Sequence, residues 1–539
     1  MTYRFYKVLL ATAALLAATA SLLRPSHGSR SAAASPVMAD ETEAAGRVDA
    51  VFDAAWKDAR VESVGPADPM TVVRRLSLAL CGTIPSLEEI RTLEALSPEG
   101  QVNSHLDHLL ADHRYADYFA ERLARAIVGT DDGPFLIYRR RRFVYWLSDE
   151  LTANRPYDDL VREIISAEGL WTDRPATNFI TAPASEQGLD AIRLAARTTL
   201  AFLGIRIDCA QCHNHPFAQW KQRDFEGLAA FFGQTQKSMR GIVDRDGELE
   251  IEDIKTKEKR EVSPRVPFDP DVCSNEGGRR EQLASWITSE KTRSDSDGNP
   301  HDDFAEAIVN RVWTLMFGQG VVEPVDDLEA ERRVSGVLEE LGRDFRAHGC
   351  DLVRLIRVIA STKAFRMSAA GQDGETTEEQ EKLFAAFPMS RLRSEQIAGS
   401  LIQAASIQTV DADSHIIVRT TRFFNTIDFI KHYGDAGEEE LNAHVGTIPQ
   451  RLVMMNGKMP RERIQASPLN AAGRISRLAP SDESRVRTTY LVALTRLPTH
   501  EEESHFVGRL SELNQGNKHK GVEDLLWALF NSTEFSWNH

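Results

Sequence analysis

Apolar residues recur at three- and four-residue spacings along most of the chain, the period of helices that bury one face, and strict apolar/polar alternation is confined to one short stretch. From residue 46 to about 235 only short polar breaks interrupt this pattern. Val72, Val73, Leu76 and Leu80 mark a helix that ends near Gly82, and Ser86 with Glu89 is placed as a capping box for the next one. Thr499 and Glu502 repeat that arrangement after an apolar run at 490–494, which is compatible with a distant internal repeat or with chance. Residues 304–317, 334–348, 352–360 and 394–405 carry the same periodicity, and Gly349 is placed to close the second of these helices. Residues 236–300 read differently: Gly241 and Gly247, then alternating Leu249, Glu250, Ile251 and Glu252, then Pro264, Pro267 and Pro270 and a polar stretch at 292–300. Residues 371–381 lack periodicity and read as an exposed loop. The expected fold is mainly α, with two helical domains, 41–235 and 301–539, joined by a linker at 236–300 that holds a small β-hairpin.

The first forty residues form a separate unit. Arg4 and Lys7 precede sixteen uncharged residues, 8–23, and Arg24 follows, the layout of an export signal. Sixteen residues fall short of the roughly 20 that span a bilayer comfortably, so cleavage is expected, with an uncleaved anchor through residues 8–23 as the alternative. The compartment implied is periplasmic, secreted or cell-surface, with inner-membrane anchoring if the segment is retained.

With 42% hydrophobic and 27% charged residues, the remainder is an ordinary globular chain. Against 64 Lys and Arg stand 80 Asp and Glu, and the net charge of −16 argues against nucleic acid as a partner. Gly-rich phosphate loops, a Gly-x-Ser-x-Gly elbow and a His-Glu-x-x-His pair do not occur in the sequence. Enzyme activity therefore stays open.

One motif carries recognisable chemistry. Cys209-Ala210-Gln211-Cys212-His213 is the attachment signature of a c-type haem: two thiols three residues apart each add to a vinyl group, and the adjoining imidazole reaches the iron. Composition alone would produce such a pentapeptide in about one chain of this kind per thousand. Two other readings use the same residues. Cys209 and Cys212 fit a redox-active disulfide, and Cys209, Cys212, His213 and His215 fit a tetrahedral zinc, although no second ligand pair at zinc-finger spacing follows. For haem, Met239, Met316, Met454 and Met455 are candidate sixth ligands and are equally ordinary core residues. Phe217 and Trp220 can wall an apolar pocket. Arg139 to Arg142 suit either haem propionates or a solvated helix face. Cys81 lies in an apolar helix and reads as an inert buried thiol, whereas Cys273 and Cys350 are free to pair in an oxidising compartment.

These residues resemble a known family, the secreted cytochrome-like proteins of planctomycetes and their relatives built from paired DUF1549 and DUF1553 domains. The first domain resembles it through Arg74-Arg75-Leu76, through 154–163, and most specifically through 209–217 running on to 228–232. The second does so through Asn310-Arg311-Val312-Trp313, Glu323-Pro324-Val325-Asp326-Asp327, Arg393-Ser394-Glu395-Gln396 and 525–535. After Asp327 the chain departs from the family pattern: Leu328-Glu329-Ala330-Glu331-Arg332-Arg333 replaces an Asn-Pro-Pro stretch. The resemblance implies a secreted, mainly helical protein with cytochrome-like features, in which Cys209, Cys212 and His213 would be the only haem site; together with the motif, the expected function is covalent haem binding there and electron transfer to a redox or extracellular protein partner. The non-redox alternative is a binding or scaffold protein whose cluster holds zinc or a disulfide.

Overall fold

The computed structural model describes residues 36–130, 138–184, 188–207, 220–252, 257–273, 276–290, 293–294, 300–371, 374–411, 414, 416–435, 437, 441 and 447–539. The fold is mainly α with small two-stranded antiparallel sheets. The proposed export signal lies outside the described residues, and among these no helix is long and apolar enough to cross a membrane.

Helix α1 (Pro36–Ala59) is followed by α2 (Pro69–Cys81), α3 (Pro98–Leu110), α4 (His113–Val128), α5 (Arg140–Thr152), α6 (Tyr157–Ser166), α7 (Ala191–Leu203) and α8 (Gln222–Ala230). Two hairpins come next, β1 (Thr235–Ser238) with β2 (Gly241–Asp244) and β3 (Leu249–Glu252) with β4 (Lys259–Val262). Local chemistry sets the helix ends as the sequence predicts. Asp68 caps α2 by accepting from the Met70 N–H, and Gly82 closes it at φ +63°. The Ser86/Glu89 and Thr499/Glu502 capping boxes both form. Gly349, at φ +69°, follows α11 (Val337–Ala347).

The stretch expected as a linker is more ordered than its composition suggests. It contains the alternating strand β3 as read, but also α9 (Arg279–Thr288), which packs on α6 and buries Trp286 completely. Arg280 hides the helix from periodicity, because it lies inside at 1% exposure. Its Nε meets the Asp244 carboxylate at 3.0 Å, and its Nη1 donates to the carbonyls of Ile165 and Ala167. The short strands β5 (Arg293–Ser294) and β6 (Pro300–His301) lead into α10 (Asp303–Phe317), α11 and α12 (Leu352–Ser361). The 371–381 loop ends in a short exposed helix, Glu378–Lys382, opened by a Thr377/Gln380 capping box.

The hydrophobic interior divides late in the chain. One core gathers residues between Ala44 and Phe387, so α1–α8 share it with α9–α12. A second gathers residues between Leu392 and Phe535 together with Leu78 and Ile84, around α13 (Ser394–Ala404), α14 (Ile416–Tyr433), α15 (Asp482–Leu494), α16 (His500–Ser511) and α17 (Lys518–Phe530). A final ladder, β7 (Ser390–Arg391) with β8 (Trp537–Asn538), connects the start of this second part to its end.

Helix α2 lies between the two cores, and its two buried arginines face both. Arg74 donates to the carbonyls of Ala493 and Phe535 in the second core. Arg75, 0% exposed, donates to Phe365, Met367 and His539 carbonyls at 3.0, 2.6 and 2.7 Å and stacks 3.7 Å from the Phe387 ring. The adjacent arginines thus fasten the two cores through backbone acceptors.

Candidate functional site

Residues 208–219, which include Cys209, Cys212, His213, His215 and Phe217, lie outside the described residues. What is described is the frame on both sides of them. On the N-terminal side, α7 ends at Gly204 and continues through Ile205 and Ile207, each 1% exposed. Gly204 has φ +61°, and a Cβ there would come within 2.8 Å of Leu328 Cγ, so the close approach of the two segments requires glycine. The Leu328 N–H donates to the Gly204 carbonyl at 2.9 Å. On the C-terminal side, Trp220 is 3% exposed, and its indole N–H meets both carboxylate oxygens of Glu329 at 3.1 and 3.2 Å. Its ring packs 6.2 Å from Phe268, which packs 5.0 Å from Trp286. Leu328 and Glu329 thus hold both flanks, and both belong to the stretch where the sequence departs from the resembled family.

The residues leading into that stretch are fixed by α10. Asn310 donates to the carbonyls of Val322 and Val325 and accepts from the Val322 N–H. Arg311, 2% exposed, bonds the Ala201 carbonyl of α7 and the Asp326 carboxylate, both at 2.7 Å. The Asn310-Arg311 pair therefore ties the 320–328 loop to the helix that leads into the motif, a positioning role spread over residues distant in sequence.

A second polar group was not legible beforehand. His301 Nδ1 lies 3.1 Å from Glu306 Oε1 and 3.7 Å from Glu339 Oε1, a set that could hold a metal ion. Arg332 bridges all three: Nη2 to Glu306 Oε2 at 2.6 Å and to His301 Nδ1 at 3.1 Å, and Nη1 to Glu339 Oε1 at 2.9 Å. A guanidinium thus supplies the positive charge that a metal would bring, and Glu306, at 2% exposure, depends on it. Arg332→Ala is expected to lower stability by about 3 kcal/mol in a chelator, because the buried Glu306 carboxylate loses its guanidinium partner. Micromolar zinc should restore much of the loss. Thermal melts with EDTA and with zinc check this, and equal melting temperatures in the two would refute the equivalence of guanidinium and metal.

The remaining candidates divide clearly. Met316 and Met454 are core residues at 0% and 2% exposure, Met239 is fully exposed at the β1–β2 turn, and Met455 is half-exposed. The arginine run is tied into packing more than a solvated face would be. Arg140 binds the Glu121 carboxylate at 2.9 and 3.0 Å and the Gly129 carbonyl, and Arg142 binds the Thr172 carbonyl. Arg141 lies over the Tyr145 ring. Cys81 is buried as expected, and burial pushes its thiol up to about 12. The possible Cys273–Cys350 pairing is not found: both are free thiols, and burial raises both, Cys350 to about 11.

Two family models match, one described as PSCyt2, protein of unknown function (DUF1549), over residues 47–237, and one as PSD1, protein of unknown function (DUF1553), over residues 279–417. No curated protein and no solved structure matches the chain. The first match takes in the Cys209-x-x-Cys212-His213 motif and both of its buried flanks, and the second takes in α10, the Asn310-Arg311 pair and the Leu328–Arg333 stretch that holds those flanks. The chain therefore belongs to the family in which a DUF1549 and a DUF1553 domain are paired.

Proposed function

We propose that this protein is an exported c-type cytochrome-like electron carrier, with haem tethered by Cys209 and Cys212 and its iron bound by His213. The observation that carries the reading is the Cys-x-x-Cys-His spacing within a short segment anchored at both ends in the core, at Ile207 and Trp220. The described flanks on either side of the motif are apolar and buried. Ile205, Ile207 and the Trp220, Phe268 and Trp286 rings offer an apolar wall, and two thiols with one imidazole are the donor set a c-type haem uses. When bound, haem would supply one-electron chemistry. The chain's own contribution would be two thiols to tether it, one imidazole for its iron, and beside the motif the buried Trp220 ring fixed by Glu329 and Phe268. The partner would be a redox protein outside the cytoplasm.

A second reading, a structural zinc at Cys209, Cys212, His213 and His215 in a non-redox binding or scaffold protein, is favoured by one feature: all four donors fall between 209 and 215, compact enough to close around one ion. The test is a reduced-pyridine absorption spectrum and a haem-stained denaturing gel, on protein exported from a host that matures c-type cytochromes. Covalent haem in the wild type, absent in Cys209→Ala/Cys212→Ala, is expected. Well-exported protein without haem and with one equivalent of zinc by elemental analysis would replace the first reading with the second.

A further inference from the structure

Two neighbouring helices on the second core turn apolar side chains to the outside. On α14, Phe424 and Ile427 lie one turn apart on the same face as Lys431. On the helix Ile448–Asn456, Ile448, Leu452 and Met455 recur at the spacing of one face. These five apolar residues are 42–79% exposed, while Phe429, Tyr433 and Met454 of the same helices turn the other way, into the second core. The helices pack against each other, so the two stripes share one outer surface. A monomeric protein seldom exposes large apolar side chains in such a group unless something binds there.

Charge is segregated to the same place. The chain as a whole carries −16, yet residues 442–478 hold six Lys and Arg against one Glu. Around the apolar stripes Lys431, Arg451, Lys458 and Arg461 are exposed, against the acids Asp428 and Glu462. Arg451 lies on the apolar face of its helix and is held there by the Asn531 carbonyl. Further on, Arg474, Arg477 and Leu478 are exposed on the helix Ala471–Leu478. The acidic run 438–440 lies outside the described residues; of its described neighbours, Asp435 is bonded to Arg125 and Leu441 packs on the first core. A second copy of this chain is a poor occupant, because a two-fold contact through this face would set its cations against themselves. Protein partners are met mostly by aromatic and arginine anchors with lysine depleted, whereas exposed aliphatic side chains interleaved with lysine and arginine are what a helix lying in a bilayer surface presents.

We propose that this face docks the protein on an anionic lipid bilayer, with Ile427, Ile448, Leu452 and Met455 inserted just below the headgroups and Lys431, Lys458 and Arg461 on the lipid phosphates. The two attractions act together. Apolar insertion and a few basic side chains are each weak alone and reinforce one another at a membrane surface. Lysine and arginine reach the headgroups while their methylene stems lie along the apolar surface. Repulsion between the chain's net charge of −16 and an anionic surface confines contact to the face where the charge is reversed, which fixes the protein's orientation. The proposal uses no residue of the Cys209-x-x-Cys212-His213 motif and holds with or without haem.

The test uses the full exported chain and sedimented vesicles of phosphatidylcholine, either alone or with about one-third phosphatidylglycerol. Binding should be at least tenfold tighter to the anionic vesicles and should weaken as salt rises, the reverse of what a chain of net charge −16 does without a segregated basic face. Ile448→Ser/Leu452→Ser should reduce binding at least tenfold, and Lys431→Glu/Lys458→Glu should remove the preference for anionic lipid, both with melting temperatures within about 2 °C of the wild type. Met239→Ser, at the exposed β1–β2 turn, should leave binding unchanged. Residues 8–23, if retained, are the same in every variant, so a loss on substitution is assigned to this face. No binding, equal binding to the two kinds of vesicle, or binding unaltered by Ile448→Ser/Leu452→Ser would each overturn the proposal. So would a wild-type dimer that the same variant dissociates, which assigns the face to a second copy, or saturable binding to polyglutamate without binding to vesicles, which assigns it to an acidic protein.

Discussion

Replacing Arg75 by methionine is expected to cost about 3–5 kcal/mol of stability, although the substitution preserves side-chain length and removes a charge from the interior. The guanidinium is completely buried and binds three carbonyls, those of Phe365, Met367 and His539. Burial pushes its pKa down to about 9, still well above neutral, so it stays charged in the fold. Its acceptors are backbone oxygens that the thioether cannot satisfy, and each orphaned carbonyl costs roughly 1–3 kcal/mol, partly offset because the cation no longer has to be desolvated. Arg509→Met, on the exposed side of α16, should change stability by no more than about 0.5 kcal/mol. Because Arg74 bonds the second core while Arg75 bonds mostly the first, the Arg74→Met/Arg75→Met double variant should melt in two steps where the wild type melts in one. Urea unfolding followed by far-ultraviolet circular dichroism, with calorimetry for the double variant, reads both results. A loss below about 1 kcal/mol for Arg75→Met would mean that water satisfies the three carbonyls as well as arginine does.

The second large effect depends on pH. His105 is 1% exposed on α3, and its Nε2 lies 2.7 Å from Ser77 Oγ of α2. Burial pushes its pKa down to about 4, and neighbouring Glu89 only partly counteracts this. Its folded pKa is therefore below the unfolded value of about 6.5. The unfolded chain takes up a proton first as pH falls, so the stability tied to neutral His105 is complete above pH 6.5 and drains away between 6.5 and about 4. Over that window the loss is about 3 kcal/mol. Other groups titrate nearby. His108 gains a bond to Glu89 that raises its pKa, so its contribution is present in acid and lost as pH rises. Burial alone would raise the Glu89 carboxyl, yet His108 and Arg114 hold it well below the usual carboxylate range. The decisive quantity is therefore a difference between proteins. From pH 7.5 to 4.5 the wild type should lose about 2–3 kcal/mol more than His105→Asn. Parallel stability–pH curves for the two would show that His105 is protonated in the fold.

Features set by neighbouring residues were readable from the chain. Capping at Ser86/Glu89 and Thr499/Glu502, the stop at Gly82 and the periodic helices α10–α13 depend on side chains a few residues apart, and the structure contains them. Helix α9 escaped because its first turn is Arg-Arg-Glu-Gln and its buried face includes Arg280, which a hydrophobic pattern counts as surface. Arg74 and Arg75 mislead in the same way, since their partners are carbonyls and leave no complementary charge in the sequence. The candidate site is legible only as a motif. Cys209, Cys212 and His213 stand out by spacing, but Glu329 on Trp220 and Leu328 on Gly204 join segments more than a hundred residues apart. The β7–β8 ladder, with Ser390 opposite Asn538, spans a similar distance, and Arg332 meets His301, Glu306 and Glu339 across 31, 26 and 7 residues with no motif to mark the group.

The bond from Arg75 to the carbonyl of His539 joins positions 464 residues apart, and that from Arg74 to Phe535 joins positions 461 apart. During synthesis both arginines leave the ribosome long before their acceptors exist. Until the 535–539 segment arrives, Arg74 has only the Ala493 carbonyl and Arg75 only those of Phe365 and Met367, so α2 can hide its apolar face only by burying cations whose bonds are incomplete. Closure of the two cores around α2 is therefore completed by the 535–539 segment, whose carbonyls supply the remaining acceptors. Contacts of such long range also slow folding as a whole, so the rate at which the two cores close on α2 is set by its most distant partners.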